Sequence, residues 1–296
     1  MPSTFAGHEI YSRKVLKELP AQLNFLGAFS TDLSGEVLGP AKSIEVPLVE
    51  ADEAGTYDRT SNNFARPAGT PKSATVTFGD PIITGFAVTA DQASKIEKRF
   101  WEGKADLNVA SVAASCSTAV TNLVTKSNFP KAVTSVGAAS AFVRSGVAKI
   151  AAAVSSATNK LRVRFSTLAL NGEYFYQLLS GLDASVYGGN EAIRTGVIPG
   201  LFGFGKVMLM HGLEIPGFVC EPSCIAFASR GFRPADDRPY TAVREIKDPE
   251  SGLALTLVEY PDGPSGDLSE SVTCRIGADV GDSGALVRLV AGASDD

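Results

Sequence analysis

The 296-residue sequence is poor in the residues that carry most enzyme chemistry. It has two histidines, His8 and His211, and they stand apart. Of its four cysteines (Cys116, Cys220, Cys224 and Cys274), only Cys220 and Cys224 are close. A structural zinc site needs a second ligand pair, and none follows. Buried, reduced thiols in a cytosolic protein are therefore expected. No run approaches the ~18 apolar residues that cross a bilayer. Residues 1–23 carry Arg13, Lys14, Lys17 and Glu18 and lack the apolar core of a secretory signal, so function in a cytoplasm is expected. Positive charge is not in excess either, with a net charge of −5. That argues against a dedicated nucleic-acid binder, which shows a basic field.

What is present suits a folded protein of one large or two modest domains: 44% hydrophobic and 20% charged residues. Residues 1–40 include Phe5, Ile10, Tyr11, Val15, Leu16 and Leu19 without a strong period, which predicts an arm lying along something else. Ile44, Val46 and Leu48 alternate with polar neighbours or proline, and Ala74, Val76 and Phe78 alternate with polar ones. Each set predicts a half-buried strand of one long hairpin. Its polar tip, about 50–71, holds Asp52, Glu53, Asp58 and Arg59. An isolated hairpin is marginal in water, so its apolar face needs a partner, and a second copy of the chain is one candidate.

Thr89-Ala-Asp-Gln92 has the form of a capping box and predicts a helix from Thr89 to about Lys126, ended by Asn128-Phe-Pro130. Such a helix is roughly 55 Å long. A second helix is expected over 138–156 and a strand over 161–165. A short helix should be capped by Asn171 and stopped by Gly181. A strand at 207–210, a short helix over 222–230 opened by Pro222, and strands near 240–246, 253–260 and 271–276 complete the chain.

Four motifs resemble chemistry without completing it. Gly200-Leu-Phe-Gly-Phe-Gly-Lys206 matches a phosphate-binding loop through its lysine, but that loop needs Ser or Thr next and then a helix. Val207 follows instead, in a predicted strand. The glycines fit a tight turn and close backbone approach. Cys220 or Cys224 with His211 lacks a third, orienting group. Asp236 and Asp237 beside Arg233 and Arg238 read as a solvated loop, and Arg162 and Arg164 as a solvent-facing ladder. No catalytic, cofactor-binding or metal-binding residue is assigned.

The order of these parts resembles that of the major capsid proteins of tailed bacteriophages. The most specific local match is Ala192-Ile-Arg-Thr-Gly-Val-Ile-Pro-Gly-Leu-Phe-Gly-Phe204. It is similar to an Arg-x-Gly-x-Ile-Gly-x-x-x-Gly-Phe run of many coat proteins, and departs from it at Pro199. Residues 221–230 and 252–260 also look similar to segments of that family. The resemblance implies an α+β bacteriophage capsid (Johnson) fold. Its parts would be an N-terminal arm (1–40), an extended E-loop hairpin (41–88), a peripheral domain with the spine helix (89–134), an axial domain (135–229), and returning peripheral-domain strands with the C-terminus (230–296).

The resemblance further implies a structural protein and not an enzyme, with no cofactor. Its copies would assemble as hexamers and pentamers into an icosahedral shell enclosing double-stranded DNA without sequence specificity. Assembly contacts would come from Asp52, Glu53, Asp58, Arg59, Arg194, Gly196, Gly200, Phe202, Gly203 and Phe204. Implied partners are other copies, a separate scaffolding protein, a portal and decoration proteins, with no membrane. The implied location is the virion, assembled in the host bacterial cytoplasm. The alternatives are an encapsulin-like compartment and a soluble enzyme using Cys220 or Cys224.

Overall fold

The computed structural model describes residues 3–37, 43–49, 57–60, 63–64, 72–89, 95, 97–134, 136–158, 165–182, 192–193, 195–232, 242–247, 253–262 and 267–291. The first segment is a helix, α1 (Ser3–Leu23), and not an arm lacking a period. Tyr11, Val15, Leu19 and Leu23 recur every four residues and are all buried. That stripe docks α1 within its own chain. A 3₁₀ turn at Asn24–Ala28 leads to β1 (Ser30–Val37). Then come β2 (Ser43–Pro47), the short ladder of β3 (Tyr57–Asp58) with β4 (Asn63–Phe64), β5 (Ser73–Thr77) and β6 (Ile82–Val88). β2 and β5 pair antiparallel with Val46 opposite Ala74, the hairpin that the alternation predicts.

The long helix α2 (Lys98–Thr121) has 24 residues, about 36 Å, and is shorter than expected. Glu97 is extended (φ −73°, ψ 155°), which breaks any continuous helix from Thr89. Residues 90–92 of the expected capping box lie outside the described residues. At the other end Asn122 caps the helix, and single tight turns bring Val124 and Phe129 into the core. The Asn128 amide donates to the Leu123 carbonyl there. Trp101, Ala105, Val109, Val112, Cys116 and Val120 form the buried face of α2, against which α1 packs. The Asn108 amide donates to the Tyr11 hydroxyl at 2.6 Å and accepts from Thr84 at 3.1 Å, tying α1, α2 and β6 together.

β7 (Ala132–Val133) precedes α3 (Arg144–Thr158). The helix starts six residues later than expected because Phe142, buried and extended, seats its ring against Gly146 and Tyr174. The expected strand at 161–165 falls largely outside the described residues, and β8 is Thr167–Leu170. α4 (Gly172–Ser180) forms as anticipated: the Asn171 side chain accepts from the Tyr174 amide at 3.1 Å, and Gly181 ends it. β9 (Val197–Leu201), β10 (Phe204–Leu209) and β11 (Gly217–Cys220) follow.

The helix expected over 222–230 is replaced by one 3₁₀ turn and β12 (Ile225–Gly231). All of β12 is buried, and a short apolar run covered on both faces has no period to distinguish strand from helix. β13 (Ala242–Lys247), β14 (Ala254–Asp262), β15 (Asp267–Val280) and β16 (Leu286–Leu289) complete the fold.

Two six-stranded sheets result. The first has the order β1-β12-β15-β14-β13, with β6 also along β15. It packs against α1 and α2 through Tyr11, Leu26, Val112, Phe227 and Leu257. The second has the order β7-β16-β11-β8-β10-β9. It shares a core with α3 and α4 built on Phe142, Ile150, Phe165, Phe175 and Phe204. The division expected near residue 229 falls inside β12, and β16 returns the C-terminal segment to the second sheet. Among the described residues no helix is long and apolar enough to cross a membrane.

Candidate assembly surface

The base of the β2–β5 hairpin is closed by its own chain. Val46, Ala74, Val76 and Phe78 are buried against Ala226 and Ala228 of β12. Two glycines make the approach possible. A Cβ at Gly277 would lie 2.5 Å from the Thr77 carbonyl oxygen and 2.7 Å from a Val76 methyl. One at Gly281 would collide with the Ser223 carbonyl and with Leu48. Buried Ser30 adds a polar latch, since its hydroxyl donates to the Pro222 carbonyl and accepts from the Val49 amide, both at 2.9 Å. Beyond that point exposure begins, at 61% for Val49 and 46% for Tyr57. Asp58 pairs with Asn63 in the β3–β4 ladder, and Arg59 sits exposed in its turn. Asp52 and Glu53 lie outside the described residues.

The glycine-rich run forms the β9–β10 hairpin at the edge of the second sheet. Pro199 in β9 has no N–H, which blunts that edge as a template for another strand. Gly196 (φ +67°) lets β9 start tightly against Leu209, whose amide donates to the Gly196 carbonyl at 2.7 Å. Leu201 pairs directly with Phe204, so the turn has two central residues, Phe202 (φ +49°) and Gly203 (φ +93°). Both angles are positive, as in a type I′ turn. Phe202 is the only non-glycine with positive φ among the described residues, and it is 41% exposed. Its ring centroid lies 5.6 Å from the Arg144 guanidinium. Phe204, expected among the contact residues, instead turns inward, because strand alternation places it opposite buried Leu201 in the core. Arg194 lies outside the described residues.

The enzyme-like motifs that fall among the described residues do not assemble. Lys206 continues into β10, with no helix to cradle a phosphate. All four cysteines are unpaired thiols and buried. Burial pushes the Cys116 and Cys224 thiols well up and that of Cys274 up to about 12. His211 sits on an exposed turn. Asp236, Asp237, Arg233, Arg238, Arg162 and Arg164 lie outside the described residues. Among the described residues no group of three or more His, Cys, Asp or Glu is placed to hold a metal ion. Sequence reasoning missed Gly277, Gly281, Ser30 and Arg144. Only the isolated glycines within or beside a strand run carried a signal, that of close backbone approach.

No protein-family model and no curated protein matches the sequence. Solved structures do. The virus-like particle from Pyrococcus furiosus is similar at a TM-score of 0.53 and 11% identity, over 95% of this chain and 98% of that one. The capsid of a native GTA particle is similar at a TM-score of 0.50 and 14% identity, over 92% and 90%. Mycobacterium phage Che8 aligns over 84% of each chain at a TM-score of 0.46 and 14% identity. Matched almost from end to end, the chain has the capsid-protein fold, the α+β bacteriophage capsid architecture that the order of its elements anticipates.

Proposed function

We propose that this chain is the major capsid protein of a tailed bacteriophage, a structural subunit without catalytic chemistry. Its copies assemble as hexamers and pentamers into an icosahedral shell enclosing double-stranded DNA. The observation that carries the reading is a shared fold, over nine-tenths or more of each chain, with chains of a GTA capsid and a virus-like particle. Exposed Val49 and Tyr57 support it, because apolar surface gains ~25 cal/mol per Å² when a neighbour covers it. Heterologous contacts that close into rings are what such a shell requires. Asp52, Glu53 and Asp58, with Arg59, give register through salt links to a neighbour more than they give affinity. At a net charge of −5 the shell confines DNA without gripping it. A scaffolding protein, a portal and decoration proteins complete the particle in the host cytoplasm.

Electron microscopy of the purified chain, alone and co-expressed with scaffold, tests this. Closed shells or rings are expected, and deleting 50–71 should leave folded protein that assembles poorly. A strictly monomeric wild type at high concentration under both conditions overturns the reading. Shells that hold a protein cargo in place of DNA would favour the compartment alternative.

A further inference from the structure

We infer that Phe202 is an anchor that inserts into a cleft on a second copy of this chain, an inference that rests on the shell reading above. Two locally unfavourable choices meet at one spot. A left-handed backbone suits Gly, Asn or Asp, whereas a phenylalanine there brings its Cβ close to the following carbonyl. The residue stays 41% exposed in the subunit, while Leu201 and Phe204 on either side are buried. Arg144, which stacks near that ring, is the first residue of α3, where a cation opposes the helix dipole. Residues that break local rules cluster at functional sites. An aromatic ring beside an arginine is the composition of interface anchors. Pro199 blunts strand addition along β9, so the tip side chain is what the hairpin offers a partner.

The complement lies at the far end of the same sheet. The tip is beside Ser166, since the Gly205 amide donates to the Ser166 carbonyl at 2.7 Å. Roughly 17 Å along β10, a cleft of about 340 Å³ opens between α2, α4 and the start of β9. Phe25, Ala113, Ala114 and Met208 lie in it, and Tyr176 and His211 also line it. Exposed Glu173 lies one helical turn from Tyr176 and exposed Glu214 three residues from His211. One end of the sheet therefore presents a ring with a cation, and the other a cleft of mixed polar and apolar lining with exposed carboxylates nearby in the chain. A protruding group on one face and a complementary pocket on another make a heterologous, head-to-tail contact between copies.

Four variants read by sedimentation, against thermal melting, test this. F202N suits the turn and should melt no lower than wild type while associating roughly tenfold or more weakly. A114W, on an exposed position of α2, should fill the cleft and weaken association similarly. R144E should weaken association, and R144E/E214R should recover it. F202N or A114W associating like wild type overturns the inference while leaving the shell reading intact. A wild type that never associates overturns both.

Discussion

The β2–β5 hairpin and the β9–β10 hairpin find company for their side chains in different places. The first buries its base against β12 and β15 of its own chain, through clearances at Gly277 and Gly281 and the Ser30 latch. The second buries Leu201 and Phe204 inward but holds Phe202 outward on a left-handed backbone. A seated base contributes to the stability of one subunit. An outward tip at a conformational cost contributes nothing comparable until something covers it.

The largest effect should come from closing the clearance under the first hairpin. G277V places a branched side chain against the Thr77 carbonyl and should destabilise the monomer by about 3 kcal/mol, read by urea unfolding. A change within experimental error would mean that the base is not seated as described. S30A should cost about 2 kcal/mol, because the Val49 amide and Pro222 carbonyl lose a buried partner. It should also speed hydrogen exchange at Val49.

Alkaline pH adds a third test. The Cys274 thiol is pushed up to about 12 by burial and stays protonated in the folded chain, whereas an unfolded thiol ionises near pH 8.5. Its contribution is therefore complete below about pH 8.5 and is lost as pH rises toward 12. The loss at pH 9 should be on the order of 1 kcal/mol, and C274A should flatten the slope. The smallest effect belongs to the second hairpin: F202N should leave the melting temperature unchanged or raise it by about 2 °C. A fall comparable to that of S30A would erase the contrast between the two hairpins.

Much of this architecture was legible in local pattern. The alternation of Ile44, Val46 and Leu48 with Ala74, Val76 and Phe78 gave the first hairpin, and Asn171 and Gly181 bounded α4. The last long strands followed from their turns. What local pattern hid was set by distant neighbours. Ile10 and Leu16 flank the four-residue stripe of α1 and blur its period. Residues 222–230 read as a helix opened by Pro222, and the strand there was hidden because β1 and β15 pair with both of its edges and apolar layers cover both of its faces. At the candidate site, the run 192–204 was singled out by its glycines, but the strain fell on Phe202. A Phe-Gly turn lacks the Asn-Gly signature, so only the backbone angles expose it. The demand for glycine at 277 depends on Thr77, two hundred residues away.

Hydrogen exchange measured on free subunits and on assembled particles tests the contrast most directly. The β2–β5 base and the Val49 amide should be equally protected in both states, while residues 201–204 should gain protection only on assembly. Unchanged exchange at 201–204, or a β2–β5 base protected only in the particle, would contradict the assignment of one hairpin to the subunit and the other to its neighbour.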